Sequence, residues 1–441
     1  MKSRRRSGPR LALAAVFAML LGTGCRSRAD ASLPNVLIVS LESMRWDHLG
    51  LSGYARPLTP NIDSLARRGV YFPRAYSQGT WTRPSIASTF VSAFQSTHRV
   101  RGNPDSLSER FQTLAEIFRG RGYRTYGWSN NANISAAFGF AQGFDEYNAL
   151  IGKDPKIVAS LKAAFHAPSR PFLAFVHLMG THWPYHSSKE FDRYDRHKDA
   201  VSITADNWTE INQGMVTLTP EDVEHNLALY DGAIQEVDAR VGEVMGFLND
   251  AGLARNTIVV IMADHGEEFY ERGRVGHGWS LADTLIRVPL VIAGPNLPEG
   301  RVVDIPVSNV DLLPTLSRLA LASTPAFAQG RDLGPIIAGK AGDDGHPVFS
   351  ESGDGSAIVS GEWKLIERGR RNEFYNILKD PQEDEDRIDD ASVREIRERL
   401  SRMLQSFAAG NRRIARDIGD ATKPVVSKEV WEQLRSLGYV K

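Results

Sequence analysis

The chain has 441 residues, 42% of them hydrophobic and 24% charged, which is enough to bury a sizeable core as one large α/β domain with a satellite or as two to three domains. Its 53 basic and 53 acidic side chains cancel, which removes bulk attraction for nucleic acid or for an acidic membrane surface. A single cysteine, Cys25, excludes an internal disulfide and leaves no thiolate ligand or nucleophile beyond it.

Taken in order, the chain opens on a basic stretch with Lys2, Arg4, Arg5, Arg6 and Arg10, followed by an apolar run from Leu11 to Leu21 that is too short to span a bilayer comfortably. With Gly22-Thr23-Gly24-Cys25 it resembles a bacterial lipoprotein signal, although Leu21 stands one place early and Gly22 occupies the usual leucine position. The resemblance implies that residues 1–25 are a signal, that Cys25 is lipidated, and that the protein sits in the cell envelope on a lipid anchor alone. Residues 26–34 read as a polar linker.

The run Asn35 to Leu41 is apolar and β-branched, as a strand buried on both faces should be, and it delivers Glu42 at its C-terminal end. Asn256 to Met262 is a second such strand, delivering Asp264 and His265. In open α/β sheets ligands bind beyond the carboxyl ends of the strands, so acids and an imidazole there stand where a divalent cation can be held. Thr59 with Pro60 starts one helix, and Pro84 just inside another leaves Thr82 near its N-terminus, where a hydroxyl serves as a cap or as a nucleophile. A strand from Arg124 to Trp128 precedes Asn130, a candidate substrate contact. His48 and His98 read as loop residues, Asp47 as a partner of Arg45, and Gln382 to Asp390 as a solvated charge run. Between Glu224 and Asp250, Leu227, Tyr230, Ile234, Val237, Val241, Val244 and Leu248 recur at three and four, giving an amphipathic helix that covers the sheet.

In order, Val36 to Gly50, Thr59 to Asp63, Thr82-Arg83-Pro84-Ser85, Asp264-His265-Gly266-Glu267, Gly276-His277-Gly278 and Arg287 to Leu290 resemble the sulfatase family of the alkaline phosphatase superfamily. Phe138 to Asp145, Phe175 to Tyr185, Val307 to Thr315 and the late stretch Trp431 to Tyr439 extend the resemblance over residues 34–441. It implies an α/β fold with a mostly parallel central sheet flanked by helices over residues 35–340, and a small α+β subdomain with a tail over 341–441. It also implies a hydrolase that uses one divalent ion, calcium, magnesium, manganese or zinc. Glu42, Asp264 and His265 would bind that ion together with Thr82, the nucleophile; His277 and His182 would contact the ester, and Arg83 would add charge. The expected partner is a small-molecule, glycan or lipid ester, with no nucleic acid.

Thr82 departs from the family. Sulfatases proper oxidise a Cys or Ser to formylglycine, which a threonine cannot become, and relatives with threonine act on phosphate esters or phosphonates. Phosphoryl chemistry is therefore the leading expectation. A sulfuric ester hydrolase is the alternative, as is a degenerate binding or scaffold lipoprotein, since Glu42 replaces the usual Asp, Ile86 a supporting Arg or His, and Gly180 an Asp of two-metal relatives. The irregular insertion from Phe191 to Thr217 carries no readable substrate code.

Overall fold

The computed structural model describes residues 33–441, apart from 103, 104, 167, 169, 354, 420–423, 437, 438, 440 and 441. Cys25 and the rest of the signal-like segment lie outside the described residues. Among the described residues no helix is long and apolar enough to cross a membrane.

Eight strands form the main sheet in the order Arg301–Val302, Gly69–Tyr71, Leu290–Ala293, Thr257–Ala263, Asn35–Leu41, Phe172–Leu178, Arg124–Trp128, Glu146–Asn148. The centre is parallel: Asn35–Leu41 pairs with Phe172–Leu178 on one side and Thr257–Ala263 on the other. Leu290–Ala293 runs antiparallel to both of its neighbours. Every residue of the three central strands is buried, which is why their sequences run apolar without alternating. The second strand begins at Thr257 rather than at the expected Asn256 and continues to Ala263.

Helices flank the sheet in two mutually packed groups. Pro60–Arg67, Asp154–Ala164 and Pro220–Asp250 form one group; Thr82–Val91, Leu114–Gly120 and Leu312–Leu319 form the other. The long helix starts at Pro220, earlier than its apolar stripe, because Thr219 and Asp222 close a capping box and Pro220 occupies the first turn. At Pro60–Arg67 the Thr59 hydroxyl does not cap the helix; it accepts from Gly50 N at 3.0 Å and donates to Asp63 Oδ1 at 3.0 Å.

The later part of the chain builds a four-stranded antiparallel sheet, Val348–Ser352, Gly355–Ser360, Trp363–Arg368 and Arg371–Asn376, with the helix Arg394–Ile418. The helix Lys428–Ser436 instead returns to the main core, where Val430 and Leu434 are buried. Residues 33–441 form one compact unit. The small sheet is fastened to the main body by Lys364, fully buried, whose Nζ lies 2.7 Å from Asp283 Oδ1 and 2.5 Å from Glu383 Oε1. Lys364→Met leaves Asp283 buried with no cation closer than Arg287 at 3.9 Å and Glu383 with Arg272 alone, 3.0 Å away, and a loss of about 3–5 kcal/mol is expected in urea unfolding; an unchanged midpoint would refute the assignment.

Candidate active site

The C-terminal ends of the central strands converge on Glu42, a carboxylate with no solvent exposure. Thr82, the first residue of the fully buried helix Thr82–Val91, donates from Oγ1 to Glu42 Oε1 at 2.9 Å. Asn131 Nδ2 donates to Glu42 Oε2 at 2.9 Å and lies 3.4 Å from Thr82 Oγ1. His177 Nε2 lies 2.7 Å from Glu42 Oε2. Asp264 Oδ1 accepts from Ser43 N at 3.1 Å and His265 N at 3.0 Å, which fixes the carboxylate and turns its other oxygen inward. His265 Nδ1 is committed to Gly266 O at 2.8 Å, so Nε2 faces the site, 3.2 Å from Glu42 Oε1 and 3.5 Å from Asp264 Oδ2.

These residues fit a divalent ion. Ligand atoms of Glu42, His177 and Asp264 lie within 4.8 Å of one another, and Asp264 Oδ2 and His265 Nε2 are buried without a hydrogen-bond partner. Uncompensated buried donors and acceptors are costly, and a cation satisfies oxygens and imidazole nitrogens together. The electrostatics point the same way. Burial pushes the Glu42 carboxyl up, yet the His265 ring 3.2 Å away, with His182 and His177, holds it well below the usual carboxylate range. Burial and then the Glu42 charge push Asp264 up. Burial opposes a charged His265, but Asp264 and Glu42 raise it to about 9. Two buried carboxylates thus demand positive charge at the ring's position, which a divalent ion supplies in place of a proton.

His277 stands between Gly276 and Gly278, both in the left-handed region at φ 85° and 102°, a turn that glycine adopts without steric cost. Its Nδ1 is 2.9 Å from Glu267 Oε1, whose carboxyl burial pushes up to about 8. His182 Nδ1 is bonded to Trp183 O. Burial depresses both His182 and His277, leaving neutral rings whose centroids are 5.4 Å apart.

The other residues singled out from the sequence take varied places. Arg83 does not face the site: it is fully buried, its Nε donates to Asn133 O at 3.0 Å, its Nη2 to Asn133 Oδ1 at 3.0 Å, and it lies 3.6 Å over the Phe138 ring. Asn130 is likewise turned away, with Oδ1 accepting from Gly152 N at 3.0 Å and from Gln433 Nε2 at 3.1 Å. Its neighbour Asn131 occupies the site. His177 was not anticipated; the signal was an imidazole inside an otherwise apolar strand, in register with Ser40 beside the strand that ends in Glu42. Ile86 is simply core. At Gly180 a Cβ would lie 2.4 Å from Val237 Cγ2, so the position has no room for the aspartate of two-metal relatives. Asp47 pairs with Arg45 at 2.8 Å, His48 with Asp231 at 2.9 Å, and His98 with Ser88 at 2.9 Å, all outside the site.

With fold and site described, comparison with known proteins identifies the class. Residues 34–322 match the family described as Sulfatase, and the chain belongs to that family, a hydrolase acting on ester bonds. It is 25% identical over 411 residues to the Delta 4,5-hexuronate-2-O-sulfatase of Bacteroides thetaiotaomicron, covering 81% of this chain and 85% of that one. It is 23% identical to the choline-sulfatase of Rhizobium meliloti, covering 76% and 78%. Among solved structures it resembles the phosphonate monoester hydrolase of Agrobacterium radiobacter, with TM-score 0.73, 21% identity and coverage of 86% and 96%. It also resembles a 2-O GAG sulfatase, with TM-score 0.75, 22% identity and coverage of 90% and 96%. Family members use a divalent metal, in accord with the donor set found here.

Purified protein supplied with divalent ions is expected to hold about one metal per chain by mass spectrometry and to lose it in Asp264→Ala; retention in the variant would overturn the ligand assignment. Asp154, which holds the turn before His182 by accepting from Met179 N at 2.9 Å and Gly180 N at 3.0 Å, is pushed by burial from 3.8 to about 6. Its folded carboxyl binds a proton more tightly than the unfolded one. The resulting stability is complete below about pH 4 and is lost as pH rises through about 6, amounting to about 3 kcal/mol. Urea unfolding from pH 4 to 7 should therefore show the advantage of the unaltered protein over Asp154→Asn shrinking as pH rises.

Proposed function

We propose that the protein is a single-metal phosphate mono- or diester or phosphonate ester hydrolase with Thr82 as its nucleophile, anchored in the cell envelope through Cys25. The observation that carries the reading is the Thr82 hydroxyl, buried at a helix N-terminus and hydrogen-bonded to Glu42 at 2.9 Å. Threonine cannot be converted to the aldehyde hydrate of sulfate-cleaving relatives, but it can form and release a phosphate ester. Likeness to a phosphonate monoester hydrolase adds support. The lipoprotein-like segment before Arg26 supports the anchor.

Glu42, Asp264, His265 and His177 would hold the ion, which when bound lowers the hydroxyl's pKa and neutralises charge on the ester. The chain's own groups do the rest. Glu42 Oε1 accepts the Thr82 hydrogen bond and aims its lone pair at the phosphorus; Asn131 Nδ2 keeps the hydroxyl from rotating away. The new bond joins Thr82 Oγ1 to phosphorus while the bond to the alcohol breaks. The Thr82 proton passes to Glu42 Oε1, and the alcohol takes its proton from His277 Nε2, which Glu267, kept protonated by burial, resupplies through Nδ1. Water then releases phosphate and restores Thr82. The Trp183 ring lies 5.2 Å from His182 and 5.9 Å from Trp208, which stacks on Trp279 at 5.0 Å, and an aromatic cluster beside His182 suits a ring-bearing or glycan alcohol.

A sulfate ester remains the second reading, favoured by curated relatives that are sulfatases. A panel of phosphate monoesters, phosphodiesters, phosphonate monoesters and sulfate esters decides between the two. Turnover is expected on the phosphorus esters, and Thr82→Ala should lower kcat by about 1000-fold or more while metal content is retained. Unchanged turnover in the variant would remove Thr82 from the mechanism, and activity confined to sulfate esters would replace the substrate class.

A further inference from the structure

The hydroxyl of Tyr439 lies 3.0 Å from His182 Nε2 and 3.4 Å from His277 Nε2, and the side chain reaches Thr82 as well. No other tyrosine of the described residues makes hydrogen bonds to these two rings. The placement is built. The helix Lys428–Ser436 anchors Val430 and Leu434 in the main core, and Gln433 Nε2 donates to Asn130 O at 3.2 Å and to Asn130 Oδ1 at 3.1 Å. Tyr439 N then donates to Leu434 O at 3.0 Å, tying the residue to the end of that helix. Asn130, one position before the Asn131 that touches Glu42, thereby seats the segment that carries the phenol.

The direction of the hydrogen bond follows from the ring. His182 Nδ1 faces the Trp183 carbonyl and must carry the proton, so Nε2 is an acceptor and Tyr439 donates to it. Burial, then the charge of Glu42, keeps the phenol protonated and thus a donor. A phenol hydroxyl turns freely about its C–O bond, so the same proton can be offered to an oxygen arriving between the two imidazoles and Thr82.

We propose that Tyr439 is a substrate-contacting residue of this active site, its hydroxyl donating to an oxygen of a phosphoryl group that arrives beside the His182 and His277 rings. The inference rests on the phosphoryl reading above. Tyr439→Phe removes only the hydroxyl and keeps the ring packing. Titration calorimetry with inorganic phosphate on the metal-supplied protein is expected to show affinity about three- to tenfold weaker in the variant, the worth of one neutral hydrogen bond. On an ester that the unaltered protein turns over, kcat/KM should fall in the same range. Gln433→Ala, which loosens the helix but spares the phenol, should weaken phosphate binding in the same direction. Unchanged affinity in Tyr439→Phe, or no phosphate binding by the unaltered protein, would overturn the proposal. Tighter binding would also overturn it, showing that the residue plugs the site. Thr82→Ala separates the two readings: phosphate bound normally while ester turnover is lost keeps the nucleophile whatever Tyr439 does, and ester turnover that survives in Thr82→Ala removes the nucleophile while leaving the phosphate titration to judge Tyr439.

Discussion

Everything at the carboxyl end of the sheet is arranged around one buried negative charge. An isolated carboxylate taken out of water costs several kcal/mol, and Glu42 has no exposure at all. It is tolerated because Thr82, Asn131, His177 and His265 all present donors or positive charge to its two oxygens. Those four residues come from a helix N-terminus, a strand and two loops, so the charge ties four separate parts of the chain to a single point. The extra methylene of Glu42 relative to aspartate is absorbed here: one oxygen serves Thr82 and the other serves His177 and Asn131.

The turn that carries Glu42 is stiffened from behind. Ser43 adopts φ 51°, an uncommon conformation for a residue with a side chain, and it is stabilised on both sides. Its amide is bound to Asp264, while its carbonyl accepts from the Tyr230 hydroxyl at 2.7 Å. The same hydroxyl accepts from Arg45 N at 2.9 Å. Tyr230 lies on the long helix Pro220–Asp250, whose Asp231 also receives His48, Tyr54 and Arg56. The helix is thus more than a cover for the sheet; its polar residues set the backbone angle at which Glu42 enters the site. Substitutions on it can disturb chemistry without touching a ligand.

The sheet and the placement of Thr82 were legible because their signals are local. Apolar β-branched runs ending in Glu42 and in Asp264-His265 announce buried parallel strands with chemistry at their ends, and Pro84 announces the helix that presents Thr82. What escaped depends on geometry that no local pattern carries. His177 lies inside a strand, and only the register with Ser40 aims it at Glu42. Asn130 and Asn131 differ by one position; the loop conformation alone decides that the first docks a distant helix and the second touches the carboxylate. Arg83 follows Thr82 directly, but on a helix adjacent residues point in different directions, and its guanidinium closes over Phe138. Tyr439 reaches the site from the far end of the sequence, beyond any window in which periodicity or spacing can be read.

The central strand Asn35–Leu41 finds its partners far along the chain. Asn35 contacts residues 137 and 222 positions away, Phe172 and Thr257. Loop closure over such distances makes pairing slow, and a protein whose core rests on non-local parallel contacts folds late and over a high entropic barrier. Until the strands at 172 and 257 arrive, a fully apolar segment offers two open hydrogen-bonding edges, the pattern that nucleates aggregation. The chain therefore carries its greatest misassembly hazard near its beginning and relieves it only when more than half of its length is available to pair.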